Sequence, residues 1–272
     1  MSRIDEFLYQ LGQEGGWFLW LIGQPLWVVA SIILGSGLML TVGGILLTHN
    51  YVTSQRLIGN NLVATAKFSF MSQVFTGLLA FMMVEAGTRY ANAEALIYNE
   101  TQALRNLTTL VGHFPGATAG QFQGRVADYG RAVVETEWQR MKAGNDSPFA
   151  TAAFENLVRT YFSIDPANEQ QQSMLTLGNL FMAQAVEART NRLNNNISQD
   201  IATLTWVSLT GLVGITIAFN WFFGSPTLRS QLSMGILLGI CILSSVVMIF
   251  LLGNPFAGDT AVSAAPFREL YP

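Results

Sequence analysis

Four stretches of this chain are apolar and free of charge, and the segment between the second and third carries a polar pattern with a helical period. No Asp, Glu, Lys or Arg falls between Glu14 and Arg56, between Lys67 and Glu85, between Asp200 and Arg229, or between Arg229 and Asp259. A helix needs about 20 mostly apolar residues to cross about 30 Å of hydrocarbon. The spans predicted on that basis are Pro25–Leu47, Phe68–Val84, Ile201–Phe223 and Gln231–Leu252. The second is short, and Leu62–Ala66 extend it if Lys67 snorkels to the headgroups. Trp17, Trp20 and Trp27 cluster at the start of the first span, as an interfacial aromatic belt does. Gly224-Ser225-Pro226-Thr227 is a tight turn, so the third and fourth spans form an antiparallel hairpin. Gly37 and Gly44, and Gly235 and Gly239, mark candidate faces for close helix packing.

Between the spans the periodicity is helical throughout. From Arg89 to Gly112 no proline interrupts the chain, and Ala93, Ile97, Leu104, Leu107 and Val111 share one stripe. The second span is therefore expected to run straight on into this helix. A further helix is predicted over Ala117–Lys142, preceded by Pro115 and followed by Gly144, with Phe122, Val126, Tyr129 and Val133 on one face. Another is predicted over Pro148–Phe162. The last starts near Asn168 and carries Met174, Leu177, Phe181 and Ala185 toward Leu193. No segment sustains the alternation of a strand. The predicted fold is an all-α integral membrane protein with four transmembrane helices, a central helical aqueous domain and no sheet. The expected divisions are an interfacial segment (1–24), spans one and two (25–86), the aqueous domain (87–200), spans three and four (201–253) and a C-terminal tail (254–272).

Composition sharpens this picture. Charged residues make up 11% of the chain, against about 25% in soluble globular proteins. They concentrate between Glu85 and Asp200. The net charge of −3 argues against nucleic acid as a partner. The single cysteine, Cys241, lies in an apolar span, which leaves neither a disulfide framework nor a thiolate metal site. Arg3 is followed at once by Asp5 and Glu6, unlike a cleavable signal peptide. Four spans put both termini and the central domain on one side. Arg3, Arg89, Arg105, Arg189, Arg192 and Arg268 lie there, against Arg56, Lys67 and Arg229 opposite, which favours a cytoplasmic domain.

Candidate chemistry is sparse. Glu100 falls on the apolar stripe of its helix, and a buried carboxylate needs a partner. Arg131, Arg189 and Arg192 are the candidates on facing helices. A register-fixing salt bridge is the expected role, and an ion- or proton-sensing group is the alternative. Glu135 and Glu137 stand two residues apart on a helix and point in different directions, so they do not read as an acid/base pair. Trp138 reads as a core or interface anchor. No phosphate loop, nucleophile elbow or zinc-protease motif occurs. His49 and His113 stand alone. No catalytic residue, cofactor or metal is expected, and the chain does not read as an enzyme.

Several stretches together resemble a known family. They are Gly77-Leu78-Leu79-Ala80-Phe81 with Arg89-Tyr90 and Glu94, then Glu100, Leu104 and Leu107 leading to Phe114-Pro115. Tyr129, Val133-Val134 and Glu137-Trp138 follow, and last come Arg189, Arg192-Leu193, Trp206 and Asn254-Pro255-Phe256-Ala257-Gly258. In order and spacing the chain resembles the bacterial membrane proteins of domain of unknown function 4239, the bestrophin-like domain, from about Gly77 to Gly258. The resemblance implies four spans in the bacterial inner membrane, a helical insert after the second, and homo-oligomers. In bestrophins these are pentamers whose second span lines an anion pore. Met71, Phe75, Leu78 and Met82 share a stripe of the second span and are the pore-lining candidates. An apolar constriction there gates by dewetting. Packing on neighbouring helices or lipid is the simpler role for the same stripe. No acidic calcium clasp accompanies it. The alternative function is a membrane scaffold or assembly factor whose cytoplasmic helices bind a protein partner.

Overall fold

The computed structural model describes residues 21, 24–52, 54–142, 145–197, 203–258 and 260–271. The N-terminal segment apart from Leu21 and Gln24, with Trp17 and Trp20, lies outside the described residues. So do Gly144 and the predicted start of the third span at Ile201. Every regular element among the described residues is helical: α1 (Leu26–Tyr51), α2 (Ser54–Val111), α3 (Gly116–Ala132), a π-helical turn (Val133–Glu137), α4 (Trp138–Met141), α5 (Pro148–Phe162), α6 (Glu169–Ile197), α7 (Thr203–Trp221), α8 (Leu228–Leu252) and α9 (Ala265–Arg268). The described residues divide into two compact units. One holds those up to Thr88 and from 203 to Asn254; the other holds those from Arg89 to 197 and from Pro255 onward. The helix α2 supplies residues to both.

In the first unit, α1, α2 and α8 are each long and apolar enough to cross a membrane. At 26 and 25 residues, α1 and α8 exceed the required length. The apolar part of α7, Thr205–Trp221, is shorter, about 26 Å at 1.5 Å per residue. Four long spans were expected; three helices meet that length, and residues just before α7 lie outside the description. The prediction for the second span was an unbroken passage into the next helix, and α2 is one helix of 58 residues.

The glycines of this unit sit where helices close on each other. A Cβ on Gly37 would lie 2.5 Å from a Leu243 methyl carbon, and one on Gly239 3.2 Å from Leu38. These contacts let α1 pack on α8. Gly224, in the α7–α8 turn, is tighter still, because its Cβ would meet the backbone nitrogen of Ile58 at 2.4 Å. Asn61 of α2 clamps that turn. Its Nδ2 donates to the Gly224 carbonyl at 2.8 Å and its Oδ1 accepts from the Gly224 N–H at 2.9 Å.

The second unit has a conventional core of Ile97, Leu104, Leu107, Phe122, Val126, Val133, Leu157 and Phe267, all nearly solvent-free. Helix α5 begins where predicted, since Ser147 accepts from the Ala150 N–H and Pro148 occupies the first turn. One stripe differs from expectation. Leu177 is exposed, and its neighbour Gly178 faces the core. A Cβ on Gly178 would lie 2.4 Å from the Tyr161 hydroxyl, so α6 turns its glycine, not its leucine, toward α5. The residues from Pro255 onward, read from sequence as a separate tail, pack into this unit through Phe256, Val262, Phe267 and Leu270.

Candidate functional site

Two features stand out, one in each unit. In the second unit a charge network closes inside the core. Glu100 comes from α2, Tyr129 from α3, Glu137 from the end of the π-helical turn, and Arg189 and Arg192 from α6. Glu100, Tyr129, Glu137 and Arg192 are 0% exposed. Arg192 grips Glu100 with two nitrogens, Nε to Oε2 at 2.8 Å and Nη2 to Oε1 at 3.3 Å. The same Nη2 donates to Glu137 Oε1 at 2.7 Å. Arg189 grips Glu137 with Nη2 to Oε2 at 2.8 Å and Nη1 to Oε1 at 3.1 Å. The Tyr129 hydroxyl joins the two halves. It donates to Glu100 and accepts from Arg189 Nη1 at 2.6 Å. Spare donors are used as well: Arg189 reaches Thr151 Oγ1 and Arg192 reaches the Met141 sulfur.

Two cations and two carboxylates sum to zero. This neutrality, with nearly every polar atom partnered, is what makes burial of four charges tolerable. Aromatic faces complete the enclosure. The Arg189 guanidinium carbon lies 5.2 Å from the ring centres of both Tyr129 and Phe154, and that of Arg192 lies 5.2 Å from Phe267 and 5.7 Å from Trp138. The titration behaviour follows from this packing. Burial pushes the Tyr129 hydroxyl well above its ordinary range, and the Glu100 carboxylate adds to that. For Glu137 burial works upward, but Arg192 and Arg189 outweigh it and hold the carboxyl below its ordinary value. Burial works downward on Arg192, yet Glu100 and Glu137 hold its guanidinium well above the usual value. Arg189 is raised in the same way, against burial, by Tyr129 and Glu137.

Of the four network residues predicted from sequence, the structure brings together Glu100, Arg189 and Arg192. Arg131 lies elsewhere. It is exposed, with its guanidinium carbon 5.7 Å from the Tyr271 ring centre. Two residues beyond Tyr129, it points away from the face that carries Phe122, Val126 and Tyr129. Glu137 and Tyr129 were missed as members. The signal for both was available, because Tyr129, Val133 and Glu137 follow Phe122 and Val126 at spacings of three and four. Glu135 is exposed while Glu137 is buried, which matches the divergence expected of that pair. Trp138 is buried at the core, packed edge-on against Phe256.

The network presents no free nucleophile or base to a substrate. The cleft between α3 and α5, lined by Arg125, Asp128, Glu135 and Phe149 among others, takes none of the five residues in its walls. The same is true of the carboxamide-rich cleft between α2 and α6. Among the described residues no three His, Cys, Asp or Glu side chains gather to hold a metal.

The other feature is the open face of α2 in the first unit. In its most apolar window only 11% of residues are buried, so most of that surface meets something other than this chain. Phe70, Val74, Phe81 and Val84 are exposed along one side. Phe75 and Met82, by contrast, are buried in an apolar cluster with Leu209, Val213, Ile217, Ile242 and Leu243. Met71 and Leu78 are half-buried between the two sides.

No curated protein and no solved structure matches this chain. A family model does match, over residues 38–267, which take in α2, the whole charge network and all of α9 but its last residue. The protein, a membrane protein with transmembrane helices, therefore belongs to the bestrophin-like domain family.

Proposed function

We propose that the chain is one subunit of an oligomeric anion channel with α2 lining its pore. The observation that carries this reading is the bare side of α2. Phe70, Val74, Phe81 and Val84 are exposed on a helix long and apolar enough to cross a membrane, and Gly77 lies between them. A ring of copies with α2 at its axis would turn that side onto a pore. The family resemblance supports five copies. Such a lining would make an apolar constriction that gates by dewetting. Among the original candidates, Met71 and Leu78 would flank the lining, and Phe75 and Met82 would back it from within the bundle. In this reading α7 is the fourth span, the branch is domain of unknown function 4239, and the second unit and both termini lie on the cytoplasmic side of a bacterial inner membrane. In this reading the protein is not an enzyme. Purified protein in chloride-loaded vesicles is expected to release chloride faster than empty vesicles do. Phe81→Asn, which hydrates the constriction, is expected to speed release further. A closed ring that releases no chloride in either form would overturn the channel.

A second reading, a non-catalytic scaffold, is favoured by one observation. Phe149, Phe162, Leu177 and Leu180 stand exposed on the second unit, where apolar surface invites a protein partner. It predicts a bound protein that is lost on Leu177→Ser with Leu180→Ser, and no chloride release.

A further inference from the structure

We infer that the first unit carries a built-in site for one hydrocarbon chain, in a groove between α1, α7 and α8. The groove has a volume of 560 Å³, within the roughly 300–1,000 Å³ of small-molecule sites. Its floor is made by Leu209, Val213, Ile217, Leu243 and Phe250, all buried. Its rim includes Ile32 and Leu40, which are 41% and 50% exposed. The mouth is thus continuous with the apolar outer face of α1, the face that meets the bilayer. Hydrocarbon can enter from there without crossing water.

The two hydroxyls in the lining do not ask for a polar guest. Ser36 Oγ donates to the Ile32 carbonyl at 2.7 Å, and Thr210 Oγ1 donates to the Trp206 carbonyl at 2.8 Å. With those groups satisfied within their own helices, the wall is methyl, methylene and ring carbon apart from the indole N–H of Trp206. A polar or charged ligand would lose its water and gain at most that one donor, whereas an acyl chain loses nothing. The space is kept by small residues. Gly214 lines the groove, and a Cβ built on it meets nothing within 4 Å. The occupant assigned here is therefore a lipid acyl chain lodged below the general lipid surface.

The site rests on α7 lying in the bilayer, which the experiment checks separately. Full-length protein is reconstituted in vesicles containing a phospholipid with a photoactivatable diazirine on its acyl chain, and adducts are located by peptide mass spectrometry. Adducts are expected to concentrate on Ile32–Leu40 and Leu209–Ile217. Gly214→Leu should lower them about tenfold, the equivalent of losing two buried methylenes. Gly211→Leu places the same bulk on the same helix outside the groove, where a Cβ also meets nothing within 4 Å, and should leave them unchanged. Equal labelling in all three proteins, or an equal fall in both variants, overturns the site. Loss of the oligomer in Gly214→Leu alone means a second copy fills the groove, and the proposal fails. Adducts at the exposed Val207, outside both stretches, report α7 in lipid. Their absence would remove the fourth span and the site with it, while the groove-specific failures leave that span standing.

Discussion

Phe70 is 73% exposed and Phe81 64% in the first unit, while in the second Arg192 and Glu137 are 0% exposed. In water both arrangements would be costly. An exposed row of phenylalanines asks for an apolar surround, and a buried arginine asks for a charge partner and hydrogen bonds. Each unit supplies what the other lacks. In the first, the chain's own helices leave the aromatic face open, and small residues bring the helices together. The second has a closed core in which two arginines, two glutamates and a tyrosine neutralise one another. Apolar burial holds both units together, but specificity comes from glycine contacts in one and from ionic geometry in the other.

The largest expected effect breaks the ionic side of this contrast. Arg192→Ala strands Glu100 and Glu137 in the core and is expected to cost about 3–5 kcal/mol. Thermal or denaturant unfolding followed on the second unit would measure it, and a loss below about 1 kcal/mol would show the network to be incidental. Steric substitutions test the other side. Gly224→Val, which drives a side chain into the Ile58 backbone, is expected to cost about 1–3 kcal/mol as overpacking, read as a lower melting temperature in detergent. A matched pair within the second unit sharpens the register of α6. Gly178→Val should fall in that same range of about 1–3 kcal/mol, because it displaces the Tyr161 hydroxyl from Leu175 and Asn179. Leu177→Ser, one residue away and exposed, should stay within about 0.5 kcal/mol. Equal effects from the two would mean that α6 is rotated.

The pH dependence is set by the same network. The folded-state value of Glu137 is depressed, so its contribution is fully present above the ordinary carboxylate value of 4.5 and is lost as pH falls through the lower folded value. For Tyr129 the folded value is raised, so its contribution is fully present below 10.0 and is lost as pH rises from there through the folded value. Stability of the second unit, followed by circular dichroism, should therefore vary little with these two groups between those limits and fall outside them. A midpoint of loss near neutral pH would contradict the arrangement.

Much of this was legible in sequence because local chemistry fixed it. The start of α5 was placed at Pro148, as the structure has it, and the absence of proline announced the continuity of α2. Glu100 betrayed itself as a carboxylate on an apolar stripe. What escaped had no local signal or a misread one. The π-helical turn at Val133–Glu137 has no periodic signature of its own. Arg131 was chosen by helix, not by face. Leu177 is the bulkier residue, yet close packing against Tyr161 selects Gly178. The apolar residues after Pro255 are irregularly spaced, so their place in the second core could not be read from period. The topology argument also changes. Arg189 and Arg192 are spent on Glu100 and Glu137, and Arg105 pairs with Glu269, so the count of Lys and Arg on that side exceeds its uncompensated charge.

A cysteine scan along residues 68–84 of α2 bears most directly on the bare helix side. It would be done in sealed vesicles on a Cys241→Ser background, since Cys241 is itself exposed. A small water-borne thiol reagent is expected to modify positions 70, 74, 77, 81 and 84 in preference to 75 and 82, and to slow chloride release as it does so. Uniform protection of the whole stretch from the reagent, with release unchanged, would mean that the exposed side of α2 meets lipid and no pore.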